Sequence, residues 1–284
     1  MKKSMAASIL VVGLRGEDSG KTMVALAVLQ CLSDQGVVAC GFKPKAGNNL
    51  WFDYDVVYEA LSQGRLYGKD AKLLRRYSSV DLAEEVVNPV HRLWVKEPTW
   101  QYAHTLPYFL VDRATLSEDG SDFLVVVNKR ALSEFRDCEE LLLKLCGRAK
   151  EVIEVRELVE LNSLAETYDK LISIAYNKVK RSCEVMVVES YSDVALPWDG
   201  LENLKAVFGI EPWSIKLYDP DKYLTTVRLS SQLRRVDEVT TKQVQRLLKP
   251  LKEIRVLPST SENIVKDLKI KVKPILNELK LVES

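Results

Sequence analysis

The chain has 284 residues, 46% hydrophobic and 29% charged, with 41 basic against 40 acidic side chains. At about 150 residues per domain this allows one large α/β domain or two smaller units, and the apolar fraction excludes a disordered or low-complexity scaffold. The formal net charge of +1 gives no sequence-wide electrostatic reason to bind nucleic acid or anionic membrane.

Taken in chain order, MKKSMAASILVVGL sets two lysines before an apolar run, as a signal peptide does. The run is short and leads into Arg15-Gly16-Glu17-Asp18, so a buried first strand explains it better. Ile9 to Val12 is unbroken and apolar, as a strand covered on both faces requires. Met23 to Leu32 has helical spacing, with Gly36 as the stop. Val37 to Phe42 is a second strand ending at Pro44, which makes a compact parallel crossover.

Tyr54 to Ser62 and Asp70 to Tyr77 follow as short helices. Tyr108 to Leu116 and Phe123 to Val127 flank the turn cluster Ser117 to Ser121 and predict a β-hairpin inserted into the α/β frame. Cys138 to Cys146 is a helix, Val152 to Val155 a strand, Leu164 to Val179 a longer amphipathic helix and Glu184 to Glu189 a buried strand. Beyond Pro197 come Ala206 to Phe208, Ser214 to Tyr218, a helix near Val239 to Leu248, and Ile254 to Leu257. The last stretch alternates at Leu268, Ile270 and Val272 like a strand, while Ile264, Leu268, Ile275 and Leu279 fit a helix interrupted by Pro274; helix is preferred. The expected architecture is α/β, with a mostly parallel sheet, helices on both faces and an inserted hairpin. Residues 1–260 would form that domain, with 101–182 as the insertion. A helical segment, 261–284, would pack on the same domain.

The strongest chemical signal is Gly16-Glu17-Asp18-Ser19-Gly20-Lys21-Thr22. It stands between an apolar strand and an amphipathic helix, the setting in which a phosphate loop works. Successive backbone N–H groups and a helix N-terminus make a positive concavity for phosphate oxygens. Lys21 would reach the β- and γ-phosphates and the Thr22 hydroxyl would ligate Mg²⁺. The usual first glycine falls at Arg15, so Gly16 or Gly13 must serve instead. Gly41-Phe42-Lys43-Pro44 ends the next strand, which sets Lys43 either near the phosphates or as a solvated lysine before a turn. Asp55 supplies a Mg²⁺ carboxylate, or else Asp53 merely caps the following helix. Val185 to Val188 is an apolar strand ending in the carboxylate of Glu189, a third candidate for the metal.

Other features read as structural. Asn128-Lys129 resembles a guanine reader, but Ala131 replaces the needed aspartate, so ATP is preferred to GTP. Trp51, Trp94, Trp100, Trp198 and Trp213 suggest core or interface packing. The cysteines (Cys31, Cys40, Cys138, Cys146, Cys183) are odd in number with no C-x-x-C pair, which favours reduced thiols in a cytoplasmic chain. His91 and His104 have no metal-ligand spacing. No run approaches the ~18 apolar residues of a membrane span.

GEDSGKT, GFKP, the Asp-bearing segment after it, VVNPVHRLWVKEP and VVESYSDVALP, in that order, resemble the dethiobiotin synthetase-type P-loop ATPases. That group includes the cobyric and cobyrinic acid amide synthases. The resemblance covers roughly residues 8–100 and 183–198. It implies Gly16 to Thr22 for the ATP phosphates, Lys43 near the reacting phosphate, Asp55 and Glu189 for Mg²⁺, and a homodimer. Where the family carries a glycine-rich loop after the glutamate, this chain has Ser190-Tyr191-Ser192-Asp193.

The function expected first is Mg²⁺-dependent ATP cleavage, with γ-phosphoryl transfer to a small carboxylate or carbamate. Lys21 and Lys43 would stabilise the transferring group. The alternative is a regulatory or assembly ATPase acting on a protein partner. A polynucleotide 5′-kinase, whose loop Asp18 to Thr22 also resembles, is disfavoured by the balanced charge and the lack of a basic-aromatic stripe.

Overall fold

The computed structural model describes residues 6–16, 19–95, 105–234, 238–257, 263–279 and 281. The chain begins with β1 (Ala7–Gly13), α1 (Lys21–Asp34), β2 (Ala39–Phe42), β3 (Lys45–Asn49), α2 (Tyr54–Ser62), α3 (Lys69–Tyr77), α4 (Glu84–Val87), β4 (Val90–Trp94), β5 (Phe109–Thr115) and β6 (Phe123–Asn128). It continues through α5 (Lys129–Glu134), α6 (Glu139–Arg148), β7 (Glu151–Val155), α7 (Leu158–Asn162), α8 (Ala165–Ser182) and β8 (Val185–Glu189). The remaining elements are β9 (Leu204–Glu211), β10 (Ser214–Tyr218), α9 (Pro220–Arg234), α10 (Thr241–Gln245), β11 (Lys252–Arg255) and α11 (Ile264–Glu278). These elements fall into two compact units, one from Met1–Pro44, Leu73–Asp81 and Val179–Ser284, the other from Lys45–Lys72 and Leu82–Lys178. The segment expected as an insertion, 101–182, lies within the second unit and the end of α8.

The first unit is built on a six-stranded sheet in the order β11-β10-β9-β1-β8-β2. β1 lies between β8 and β9, parallel to both, and β2 runs parallel to β8. Both faces of β1 are covered, so all seven of its residues are buried, which is why its sequence is a continuous apolar run. β10 and β11 extend the sheet as antiparallel edge strands. α1 is buried from Val24 through Leu29 without a break, because it packs on the sheet while α11 packs on it. Such a helix is apolar nearly all round rather than along one stripe. Asp34 pairs with Lys269 at 2.6 Å across that contact, and this bond holds the Asp34 carboxyl below the usual range. The final segment is helical despite Pro274, with Val265, Leu268, Val272, Ile275 and Leu276 on the buried face.

The second unit holds a five-stranded sheet in the order β3-β4-β5-β6-β7. β5 and β6 pair antiparallel, as the sequence predicts, and both stand in the interior of this sheet. In their turn, Asp119 accepts hydrogen bonds from the Ser117 hydroxyl and the Ser121 N–H. These donors draw its carboxyl down to about 2. Leu66, Leu93, Val111, Val125 and Leu145 belong to one core cluster. Arg113 is fully buried and donates to the carbonyls of Leu66, Asn88 and Pro89 and to the Thr115 hydroxyl. Burial pushes its pKa down to about 10, which still leaves it charged at neutral pH. Asp112 is held by Arg92 through two bonds of 2.6 Å and by the Tyr168 hydroxyl at 2.8 Å.

Several elements differ from the sequence expectation. β3 is Lys-Ala-Gly-Asn-Asn, with no apolar alternation, and it is a strand because its backbone pairs with β4. α9 buries little beyond Tyr223, Val227 and Ser230, spaced four and three apart, so its periodic signal is faint. The helix expected over Val239 to Leu248 is shorter, Thr241–Gln245.

Candidate functional site

Parallel pairing brings the carboxyl ends of β1, β8 and β2 to one edge of the first sheet, where open α/β sheets bind ligands. β1 ends at Gly13. A Cβ there would lie 2.8 Å from Ser19 Oγ, 2.9 Å from the Ser192 carbonyl and 3.0 Å from the Arg15 carbonyl. A Cβ on Gly16 would meet nothing nearer than Ser192 Oγ at 4.0 Å. A side chain at Gly13 would crowd two backbone carbonyls, whereas one at Gly16 would meet open space, so Gly13 is the more tightly packed of the two.

The loop enters α1 at Gly20, which takes a left-handed φ of 83°, a conformation open to glycine without steric cost. α1 has no side-chain cap and no acidic residue in its first turn. A fourteen-residue helix that starts this way presents positive N–H dipoles suited to an anion. Ser19 is buried, and its hydroxyl has no hydrogen-bond partner among the described residues. Lys21 and Thr22 stand in the first turn. Glu17 and Asp18 lie outside the described residues.

The register of β2 against β8 sets the next contact. Phe42 pairs with Val188, so Lys43 and Glu189 follow side by side at the ends of neighbouring strands. Lys43 Nζ donates to Glu189 Oε1 at 2.8 Å, and both residues are buried, 3% and 0% exposed. The Thr22 hydroxyl donates to the same oxygen at 2.8 Å. An isolated buried carboxylate costs several kcal/mol to desolvate, and here an ammonium and a hydroxyl offset that cost. The structure thus gathers Thr22, Lys43 and Glu189 from three elements.

The segment after β8 is fastened to the loop. The Ser190 N–H donates to the Val11 carbonyl at 2.9 Å and its hydroxyl to the Val194 carbonyl at 2.6 Å. Ser192 has a φ of 44°, a left-handed value where a glycine would sit without cost, and its hydroxyl reaches the Gly16 carbonyl at 3.3 Å. A further clamp comes from Thr241. Its hydroxyl donates to the Gly13 carbonyl at 2.7 Å and its N–H to the Asp193 carbonyl at 2.7 Å. The Tyr191 hydroxyl bonds to Glu238 in the same segment. These residues are too distant in sequence from the loop for any local pattern to announce them.

Asp55 belongs to the second unit, exposed in the first turn of α2. Asp53 occupies the N-cap position of that helix, but its carboxylate accepts from the Asn49 N–H at 3.0 Å instead of capping. Asn128 caps α5, accepting from the Ala131 N–H at 3.0 Å. His91 is buried, with Nδ1 bonded to Asn88 Oδ1 at 2.7 Å, and His104 and Trp100 lie outside the described residues. Trp51 and Trp213 are exposed, 83% and 60%, whereas Trp94 and Trp198 are half-buried. All five cysteines are free thiols, and burial pushes the Cys31 thiol up.

Among the described residues no cluster of three or more His, Cys, Asp or Glu has the form of a metal site. Thr22 and Glu189 nevertheless offer two hard oxygens 2.8 Å apart. That donor chemistry fits Mg²⁺, which binds through few carboxylates and completes its shell with water and phosphate oxygens. No helix among the described residues is long and apolar enough to cross a membrane.

The chain is 34% identical over 88 residues to the ATP-dependent dethiobiotin synthetase BioD 2 of Escherichia coli strain K12. The protein of that name from Escherichia coli O157:H7 matches to the same extent. The matched region is 31% of this chain and 32% of each relative, so the chain spans about a third of the length of the curated relatives it matches. No family model matches the chain. The similarity is that of a distant relative.

Proposed function

We propose that the protein is a P-loop enzyme that binds ATP with Mg²⁺ and transfers the γ-phosphoryl group to a small carboxylate or carbamate. The observation that carries this is the convergence of Thr22 and Lys43 on Glu189 Oε1, each at 2.8 Å, beside an uncapped helix that begins at a left-handed glycine. The partial similarity to an ATP-dependent synthetase supports the nucleotide, while the acceptor class rests on resemblance alone.

In this assignment the backbone of Gly16, Glu17, Asp18, Ser19 and Gly20 and the helix N-terminus hold the phosphates. Lys21 balances the charge of the β- and γ-phosphates, and Lys43 that of the transferring group. Thr22 and Glu189 would hold Mg²⁺, which when bound would supply positive charge to the phosphates. An oxygen of the acceptor attacks the γ-phosphorus as the bond to the bridging oxygen of ADP breaks. The resulting mixed anhydride is then open to capture by a nucleophile.

A second reading, an ATPase whose nucleotide state governs a protein partner, is favoured by one observation. Trp51, Phe52, Tyr54 and Tyr58 are all exposed on the second unit, and the last two rings stack at 5.6 Å. Four exposed aromatics within eight positions form a surface of the kind that marks interaction sites.

ATP turnover in the presence of Mg²⁺ tests the main proposal. Lys21→Ala should abolish turnover while the protein stays folded; turnover retained in the folded variant would remove the site. Turnover raised by small carboxylates supports the synthetase-type reading, and turnover raised only by a protein supports the second.

A further inference from the structure

Glu189 Oε1 accepts two hydrogen bonds of 2.8 Å, one from the Lys43 ammonium and one from the Thr22 hydroxyl. The carboxylate is 0% exposed and Lys43 is 3% exposed. The negative charge at the end of β8 is therefore already neutralised, inside the protein, by a positive charge from the end of β2. Thr22 shares the oxygen, so the hydroxyl and carboxylate that suit a divalent cation are both joined to the group that Lys43 occupies.

This arrangement has a consequence for the order of binding, which rests on the nucleotide assignment above. A divalent cation that approached Glu189 alone would meet an ammonium 2.8 Å from the carboxylate oxygen. Displacing Lys43 would deprive a buried ammonium of the Glu189 charge, which is strongly unfavourable unless another anion takes that place. The phosphates of a nucleotide supply such an anion. Conversely, phosphates that drew Lys43 away in the absence of metal would take the Lys43 charge from the buried Glu189. Each ligand removes the electrostatic penalty faced by the other.

We propose that Lys43 holds the cation position of Glu189 in the nucleotide-free protein. It is released toward phosphate when nucleotide and divalent metal enter together, so the two bind with positive coupling. Linkage makes the effect reciprocal: nucleotide tightens metal and metal tightens nucleotide by the same factor. Lys43 is in this sense a positioning residue that keeps the metal site closed until the phosphates arrive.

The test is calorimetric titration of the intact protein with Mn²⁺ as a probe for Mg²⁺, with and without saturating ADP, and of Lys43→Gln. The glutamine keeps a donor for Glu189 and removes the charge; a melting curve establishes that the variant is folded. In the unaltered protein, Mn²⁺ should bind at least tenfold more tightly with ADP present. In Lys43→Gln, Mn²⁺ alone should bind at least tenfold more tightly than to the unaltered protein, and the gain from ADP should shrink. If ADP binds but Mn²⁺ affinity is the same in both proteins, or is unchanged by ADP in the unaltered one, the role given to Lys43 is wrong while the nucleotide site stands. Should Lys43→Gln fail to fold, Lys43→Met carries the same comparison, because direct coordination of Mn²⁺ by ADP raises affinity in the unaltered protein whatever Lys43 does. If ADP binds under neither condition, the nucleotide assignment fails and the coupling falls with it.

Discussion

Replacing Gly13 with alanine probes the packing on which the loop depends. The added methyl would sit 2.8 Å from Ser19 Oγ, 2.9 Å from the Ser192 carbonyl oxygen and 3.0 Å from the Arg15 carbonyl oxygen. Comfortable carbon–heavy-atom contact begins about half an ångström farther out. The serine hydroxyl can rotate away, but the two carbonyls are backbone and belong to segments far apart in the chain, so one local movement does not relieve both. Overpacking of this kind costs about 1–3 kcal/mol, which lowers the melting temperature by roughly 2–10 °C in a chain of this size. The strain falls where Thr241 also binds Gly13 through its carbonyl, so the loop should shift and nucleotide affinity should fall with stability. Gly16→Ala is the internal control, because its methyl would meet only Ser192 Oγ at 4.0 Å. Thermal unfolding of both variants beside the parent protein is the assay. Gly13→Ala melting like the parent, or Gly16→Ala suffering equal loss, would refute the assignment of Gly13 as the crowded glycine.

Two further predictions concern the second unit. Arg113→Met leaves three carbonyls and the Thr115 hydroxyl without their buried donor, which should destabilise the protein by about 3–5 kcal/mol; a loss below about 1 kcal/mol in urea unfolding would contradict the bonding described. Asp119 should titrate at about 2, against about 3.9 for an unrestrained aspartate. A lowered folded-state pKa means that its contribution to stability is present above about pH 4 and is lost as pH falls through about 2. A carboxyl-carbon NMR titration giving a midpoint near 3.9 would show that the Ser117 and Ser121 bonds do not hold in solution.

The sequence disclosed elements wherever a local pattern sufficed. Ile9 to Val12, Met23 to Leu32 and the turn from Ser117 to Ser121 each carry a periodic or compositional signal, and each appears in the fold. β3 carries none and α9 only a faint one, since one is held by backbone pairing to β4 and the other buries a sparse face. At the candidate site, Lys43 and Glu189 were each visible as charged residues at strand ends. Their direct bond was not, because it depends on the pairing of Phe42 with Val188 across 146 residues. The choice between Gly13 and Gly16 stayed open for the same reason, as the atoms crowding Gly13 include the Ser192 carbonyl from a distant loop. The Thr241 clamp likewise joins residues 228 positions apart.

Binding of ATP with Mg²⁺ to the intact protein and to Lys21→Ala, measured by calorimetry under identical conditions, addresses the nucleotide site most directly. The account predicts saturable one-to-one binding to the unaltered protein and at least a tenfold loss in the variant, whose melting curve remains that of a folded chain. Equal affinity in the two proteins, or no binding to either, would contradict it.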